Sequence, residues 1–143
     1  MEKADEDDKG NILFVCIENS NRSQMAEAFA KIHGKKIVNV YSAGSRPPGE
    51  INAKAIEAMS ILGYDLSAHK SKSTEELIEV EKFLPAGRFD YVITMGCGDE
   101  CPFIPARHHV DWEIPDPRDM GMEEFIKVRD LIGMKVKELL EQI

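Results

Sequence analysis

The chain changes character abruptly at residue 16. An uninterrupted apolar run, Ile12-Leu13-Phe14-Val15-Cys16-Ile17, stops at the polar Glu18-Asn19-Ser20-Asn21, and from Ser23 onward Met25, Ala26, Phe29, Ala30 and Ile32 recur at helical spacing as far as Gly34. A short apolar run without alternation is the mark of a parallel strand buried on both faces, so Asn11 to Cys16 reads as a central strand. Gly34 reads as the C-terminal cap of the helix. The pattern then repeats. Ile37 to Tyr41 reads as a second strand, and Ser42-Ala43-Gly44 with Pro47-Pro48-Gly49 as a loop. Ala55, Ile56, Met59, Ile61 and Leu62 mark a helix closing at Gly63, and Glu75 to Phe83, after Ser73, marks another. Phe89 to Met95 reads as a third strand, with a short fourth around His108 to Val110. Met122 to Leu140, with Phe125, Val128, Leu131, Ile132, Val136, Leu139 and Leu140 on one face, is a long amphipathic helix. Strands alternating with helices imply parallel pairing, right-handed crossovers and a three-layer α/β fold.

With 143 residues there is room for one domain, expected over residues 11–143. Residues 1–10 carry five acids and two lysines with no apolar periodicity, which reads as a disordered, solvated tail. The net charge of −8 gives no overall positive field to draw nucleic acid. The longest apolar run, six residues, falls far short of the roughly 20 that a spanning helix needs, so no membrane association is expected. The acidic N-terminus lacks the basic and then apolar pattern of a signal peptide, and the three cysteines cannot pair completely. A cytoplasmic, reducing location is expected, with cysteines that serve chemistry rather than structure.

In the run Cys16-Ile17-Glu18-Asn19-Ser20-Asn21-Arg22-Ser23, a cysteine ends a strand and, after five intervening residues, Arg-Ser opens a helix. Such a loop can turn its backbone N–H groups, Ile17 to Ser23, toward one point where the helix dipole adds positive potential, which makes a site for a tetrahedral oxyanion. Arg22 would add a planar two-pronged donor. The same field favours the thiolate of Cys16. The alternative is a buried strand cysteine beside a surface cation. Cys97 and Cys101, just beyond the third strand and flanked by Gly96 and Gly98, suit a disulfide that forms and is reduced. With His108 and His109 they could instead hold zinc, or they could be purely structural. In Asp111-Trp112-Glu113-Ile114-Pro115-Asp116-Pro117, the two prolines can hold an acid in position, and Asp116 between them is the candidate general acid. A merely solvated loop is the alternative.

Val15-Cys16 through Arg22-Ser23-Gln24-Met25-Ala26-Glu27, with Ser42-Ala43-Gly44 and Asp116-Pro117, resembles the superfamily of low-molecular-weight protein tyrosine phosphatases and thioredoxin-coupled arsenate reductases. The resemblance implies a four-stranded parallel sheet flanked by helices, Cys16 as nucleophile, Arg22 as oxyanion clamp and Asp116 as acid. It also implies that Asn19 and Ser42 hold the loop in shape, that Ser23 supports the thiolate, and that no cofactor or metal is needed. The aromatic slot of the phosphatase branch is missing, since the equivalent places read Ser45-Arg46-Pro47 and Arg118-Asp119-Met120. Asn21 stands where that branch often has a second cysteine, and Cys97 with Cys101 resembles the redox pair of the reductase branch. The resemblance therefore implies an arsenate reductase with an intramolecular disulfide relay and thioredoxin as reductant. A phosphatase and a non-catalytic zinc or redox sensor remain as alternatives. Glu18 replaces the glycine usual in the phosphatase branch, and its carboxylate would repel an anion unless it turns away.

Overall fold

The computed structural model describes residues 10–19, 21–34, 36–45, 49–96 and 103–143. In chain order the elements are β1 (Gly10–Cys16), α1 (Arg22–Gly34), β2 (Val38–Gly44), α2 (Ala53–Ser60), α3 (Thr74–Glu81), β3 (Phe89–Thr94), β4 (Ala106–Asp111) and α4 (Met122–Glu141), with 3₁₀ turns at Leu66–Ala68 and Pro85–Gly87. The four strands form one sheet in the order β2-β1-β3-β4, and every pairing is parallel.

β1 lies between two neighbours, and its apolar run supplies both faces. Ile12, Phe14 and Cys16 pack with α1, α2 and α4, whereas Leu13 and Val15 pack with Leu77 of α3 and with Phe89 and Val92. That double burial is why the run shows no alternation. It also gives the three layers that the alternation of strands and helices predicts.

Several element boundaries differ from the sequence reading. Gly10, expected in the tail, opens β1 opposite Val38. Ser42-Ala43-Gly44, expected in a loop, continues β2 until Gly44 faces Cys16, because main-chain pairing needs no large side chains. Helix α3 stops at Glu81, and Phe83 stands exposed beyond it. Its start is fixed by a capping box: Ser73 Oγ accepts from the Glu76 N–H while the Glu76 carboxylate accepts from the Ser73 N–H. Residues 1–9 lie outside the described residues. Among the described residues, no helix is long and apolar enough to cross a membrane.

Candidate active site

Strand order reverses direction at β1 and β3, and in parallel α/β sheets the crevice beyond such a point receives ligands. Cys16, the last residue of β1, sits there with 3% of its surface exposed. Its Sγ is 2.9 Å from Ser23 Oγ and accepts from the Asn19 N–H at 3.2 Å. Asn19 Nδ2 donates to Ser23 Oγ at 2.8 Å, so the Ser23 proton is left to point at the sulfur. Two donors thus converge on Cys16 Sγ. Asn19 and Ser23, both singled out in the sequence, are brought to the Cys16 sulfur.

Asn19 adopts a left-handed backbone with φ 53°, which asparagine tolerates better than most residues. Further contacts hold it. Its Oδ1 accepts from the Lys72 N–H at 2.7 Å and from Gln24 Nε2 at 2.8 Å, and Gln24 Nε2 also reaches Asn19 O at 3.2 Å. Gly44 presses on it from β2, where a Cβ would lie 2.6 Å from Asn19 N and 2.7 Å from both Glu18 C and Ile17 O. Only a residue without a side chain fits against the loop there.

Behind Gln24 lies a buried network that the sequence reading did not anticipate. Gln24, with none of its surface exposed, also donates to Lys70 O at 2.8 Å. His69 Nδ1 faces two acceptors, Gln24 Oε1 at 2.9 Å and Glu27 Oε2 at 3.0 Å, and so carries a proton. Its Nε2 meets the Tyr64 hydroxyl at 2.5 Å. Burial alone would raise the Glu27 carboxyl. The hydrogen bond from His69, the Lys72 charge, the Ser42 hydroxyl and the Lys31 charge together outweigh burial and hold the carboxyl well below the usual range. Ser42, expected to brace the loop, donates to Glu27 Oε1 at 2.7 Å. The available signal was Gln24 and Glu27 themselves, polar residues three apart on a helix whose positions from Arg22 to Ala30 are all buried.

Arg22 opens α1 and is buried. One terminal nitrogen donates to Ile114 O at 2.9 Å and the other lies 4.0 Å from Asp116 Oδ2. Gly96, at φ +76°, lets the guanidinium pass, since a Cβ there would stand 3.0 Å from Arg22 Nη1. The guanidinium therefore joins the anion loop, the end of β3 and the acid loop. Asp116 keeps 45% of its side chain exposed. Asp111, by contrast, is bound to Thr94 Oγ1 at 2.7 Å. The Glu18 carboxylate is paired with Arg118, which answers the charge that threatened the anion site. Ile17 O receives Ser45 Oγ at 3.5 Å, and Asn21 O takes the Met25 N–H at 2.9 Å in the first turn of α1. Asn21 is buried, and its Oδ1 has no partner among the described residues.

Ser20, Cys97 and Cys101 lie outside the described residues. The imidazoles named for a zinc alternative do not converge. His108 and His109 are consecutive on β4 and so point to opposite faces, one stacked on Tyr91 at 4.8 Å and the other on Phe103 at 5.0 Å.

A doubly wound sheet with a cysteine loop at the switch point defines a class of anion-binding enzymes, and residues 11–143 match the low molecular weight phosphotyrosine protein phosphatase family. The chain belongs to that family. Among its relatives, arsenate reductase 2 of Staphylococcus saprophyticus is 41% identical over 138 residues, spanning 94% of this chain and 98% of the relative. A solved structure described as an arsenate reductase in the phosphate binding state shares 32% identity with a TM-score of 0.79, over 94% of this chain and 98% of that one. The thioredoxin-dependent arsenate reductase of Corynebacterium glutamicum shares 34% identity with a TM-score of 0.73, over 94% of this chain and 61% of its own.

Proposed function

We propose that this protein reduces arsenate to arsenite, with Cys16 as nucleophile, the loop Ile17 to Ser23 and Arg22 as oxyanion cradle, and Asp116 as general acid. The observation that carries the reading is the junction at Arg22, which brings Asp116 to the loop that holds the Cys16 sulfur. The Cys16 thiolate attacks arsenic, a sulfur–arsenic bond forms, and an oxygen leaves as water on taking a proton from Asp116. Cys97 thiolate then attacks the Cys16 sulfur. The S–S bond forms as the sulfur–arsenic bond breaks, its electron pair stays on arsenic, and arsenite departs. Cys101 attacks Cys97, freeing Cys16 and leaving a Cys97–Cys101 disulfide for thioredoxin to reduce.

The chain leaves β3 beside the nucleophile, which supports this order. Met95 N–H donates to Val15 O at 3.0 Å and Gly96 lies against Arg22, so Cys97 follows directly. The relatives named above support the substrate and the reductant. A relay reset by thioredoxin also fits a cytoplasmic protein. Phosphomonoester hydrolysis is the second reading, because Cys16, Arg22 and Asp116 suffice for it. Arsenite production with thioredoxin and its reductase, measured beside aryl-phosphate hydrolysis, decides between them. Arsenate-dependent turnover far above aryl-phosphate turnover is expected. Turnover of the aryl phosphate alone would make the protein a phosphatase.

A further inference from the structure

The side chains of Glu18 and Arg118 have no part in the chemistry above, yet they join the two loops that carry it. Glu18 lies two residues beyond the nucleophile, and its carboxylate accepts a hydrogen bond from Arg118 Nη1. Arg118 lies two residues beyond Asp116, and its main-chain N–H donates to Asp116 Oδ1 at 3.0 Å. The Arg118 carbonyl is held by Lys54 Nζ at 3.4 Å, which also reaches Met120 O at 2.6 Å. Asp116 is thus gripped from two sides. An inner path runs from Oδ2 to the buried Arg22, and an outer path runs from Oδ1 through Arg118 to Glu18, whose side chains are 51% and 32% exposed.

We infer that Glu18 and Arg118 are positioning residues, an ion-paired strut that sets the Asp116 carboxyl against the anion loop. The inference rests on the reading of Asp116 as the acid. The pair acts on the acid-dependent step through geometry and on substrate binding through charge, and the two effects separate. Glu18→Gln keeps the shape, removes the strut's charge and leaves the Arg118 cation uncancelled near the oxyanion. Arg118→Met removes the same strut and leaves the Glu18 anion uncancelled. An exposed pair sets the scale of the loss in kcat at up to about fivefold.

The test is steady-state kinetics on four proteins: the parent, Glu18→Gln, Arg118→Met and the charge-swapped Glu18→Arg/Arg118→Glu. Both single variants should lose kcat, while KM for arsenate falls in Glu18→Gln and rises in Arg118→Met, a split that general loosening of the fold cannot produce. The swapped pair should recover most of the lost kcat. In an Asp116→Asn background, Glu18→Gln should leave kcat where Asp116→Asn put it. An unchanged kcat in Glu18→Gln, or a further fall in the Asp116→Asn background, overturns the strut. If the parent itself makes no arsenite, the reading of function fails, and nuclear magnetic resonance then judges the strut alone. Glu18→Gln should shift the Arg118 amide and the Asp116 carboxyl carbon, and unshifted signals overturn it.

Discussion

Arg22 performs two tasks with one planar group, donating to Ile114 O and facing Asp116. A lysine at the position keeps the charge but has a single head and no fork. Arg22→Lys is expected to lower kcat by about a hundredfold or more, the scale of losing a preorganised donor, in single-turnover arsenite release. Glu27 makes a pH prediction possible. Its carboxyl is depressed in the folded protein, so it contributes stability that is present above the ordinary value of 4.5 and is lost as pH falls below it. Glu27→Gln should therefore be less stable than the parent at neutral pH, with a shallower loss between pH 4.5 and pH 2 in urea titrations. Equal acid limbs in the two proteins would exclude Glu27 as the source. At this scale the sequence revealed the residues of the candidate site and concealed those packed behind them. Cys16, Arg22 and Ser23 stand within one short run where spacing alone suggests a cradle. His69 and Gln24 are 45 positions apart, and nothing local to either betrays the contact.

Where elements meet, the end of β2 decides the shape of the anion loop. Gly44 stands opposite Cys16 in the sheet, and its N–H is tied to Lys72 O at 2.8 Å. The atoms that would meet a Cβ are main-chain atoms of Ile17, Glu18 and Asn19, which cannot swing aside as a flexible side chain can. Gly44→Ala should destabilise the fold by about 1–3 kcal/mol, as overpacking generally does, and displace the loop. The decisive measurement is protection of Cys16 from alkylation by phosphate, which the variant should lose while its circular dichroism stays that of the parent. Strands and helices with periodic apolar residues were legible because each repeats the burial of its face. The last three residues of β2 were not, since Ser42, Ala43 and Gly44 have the composition of a loop and are strand only through pairing with β1. The 3₁₀ turn at Leu66–Ala68 was likewise hidden, being one buried leucine in a polar setting.

At the scale of the whole molecule, the proposed relay of Cys16, Cys97 and Cys101 makes the order of the three thiols testable. Cys101→Ser should release about one arsenite per chain and stall with Cys16 bonded to Cys97, because only the later exchange is removed. Cys97→Ser should form no such bond. Peptide mapping under non-reducing conditions after one addition of arsenate distinguishes the two, and sustained turnover of Cys101→Ser with thioredoxin would remove Cys101 from the mechanism. The placement of β1 in the middle of the sheet carries a further consequence. Its amides are bridged on both sides, to β2 and to β3, whereas among the described residues β4 has a neighbour on one side only. In hydrogen–deuterium exchange, Leu13 to Val15 should open only with the entire domain, and the amides of β4 at lower free energy. Cys16, the last residue of β1, is then anchored to the slowest-exchanging part of the protein.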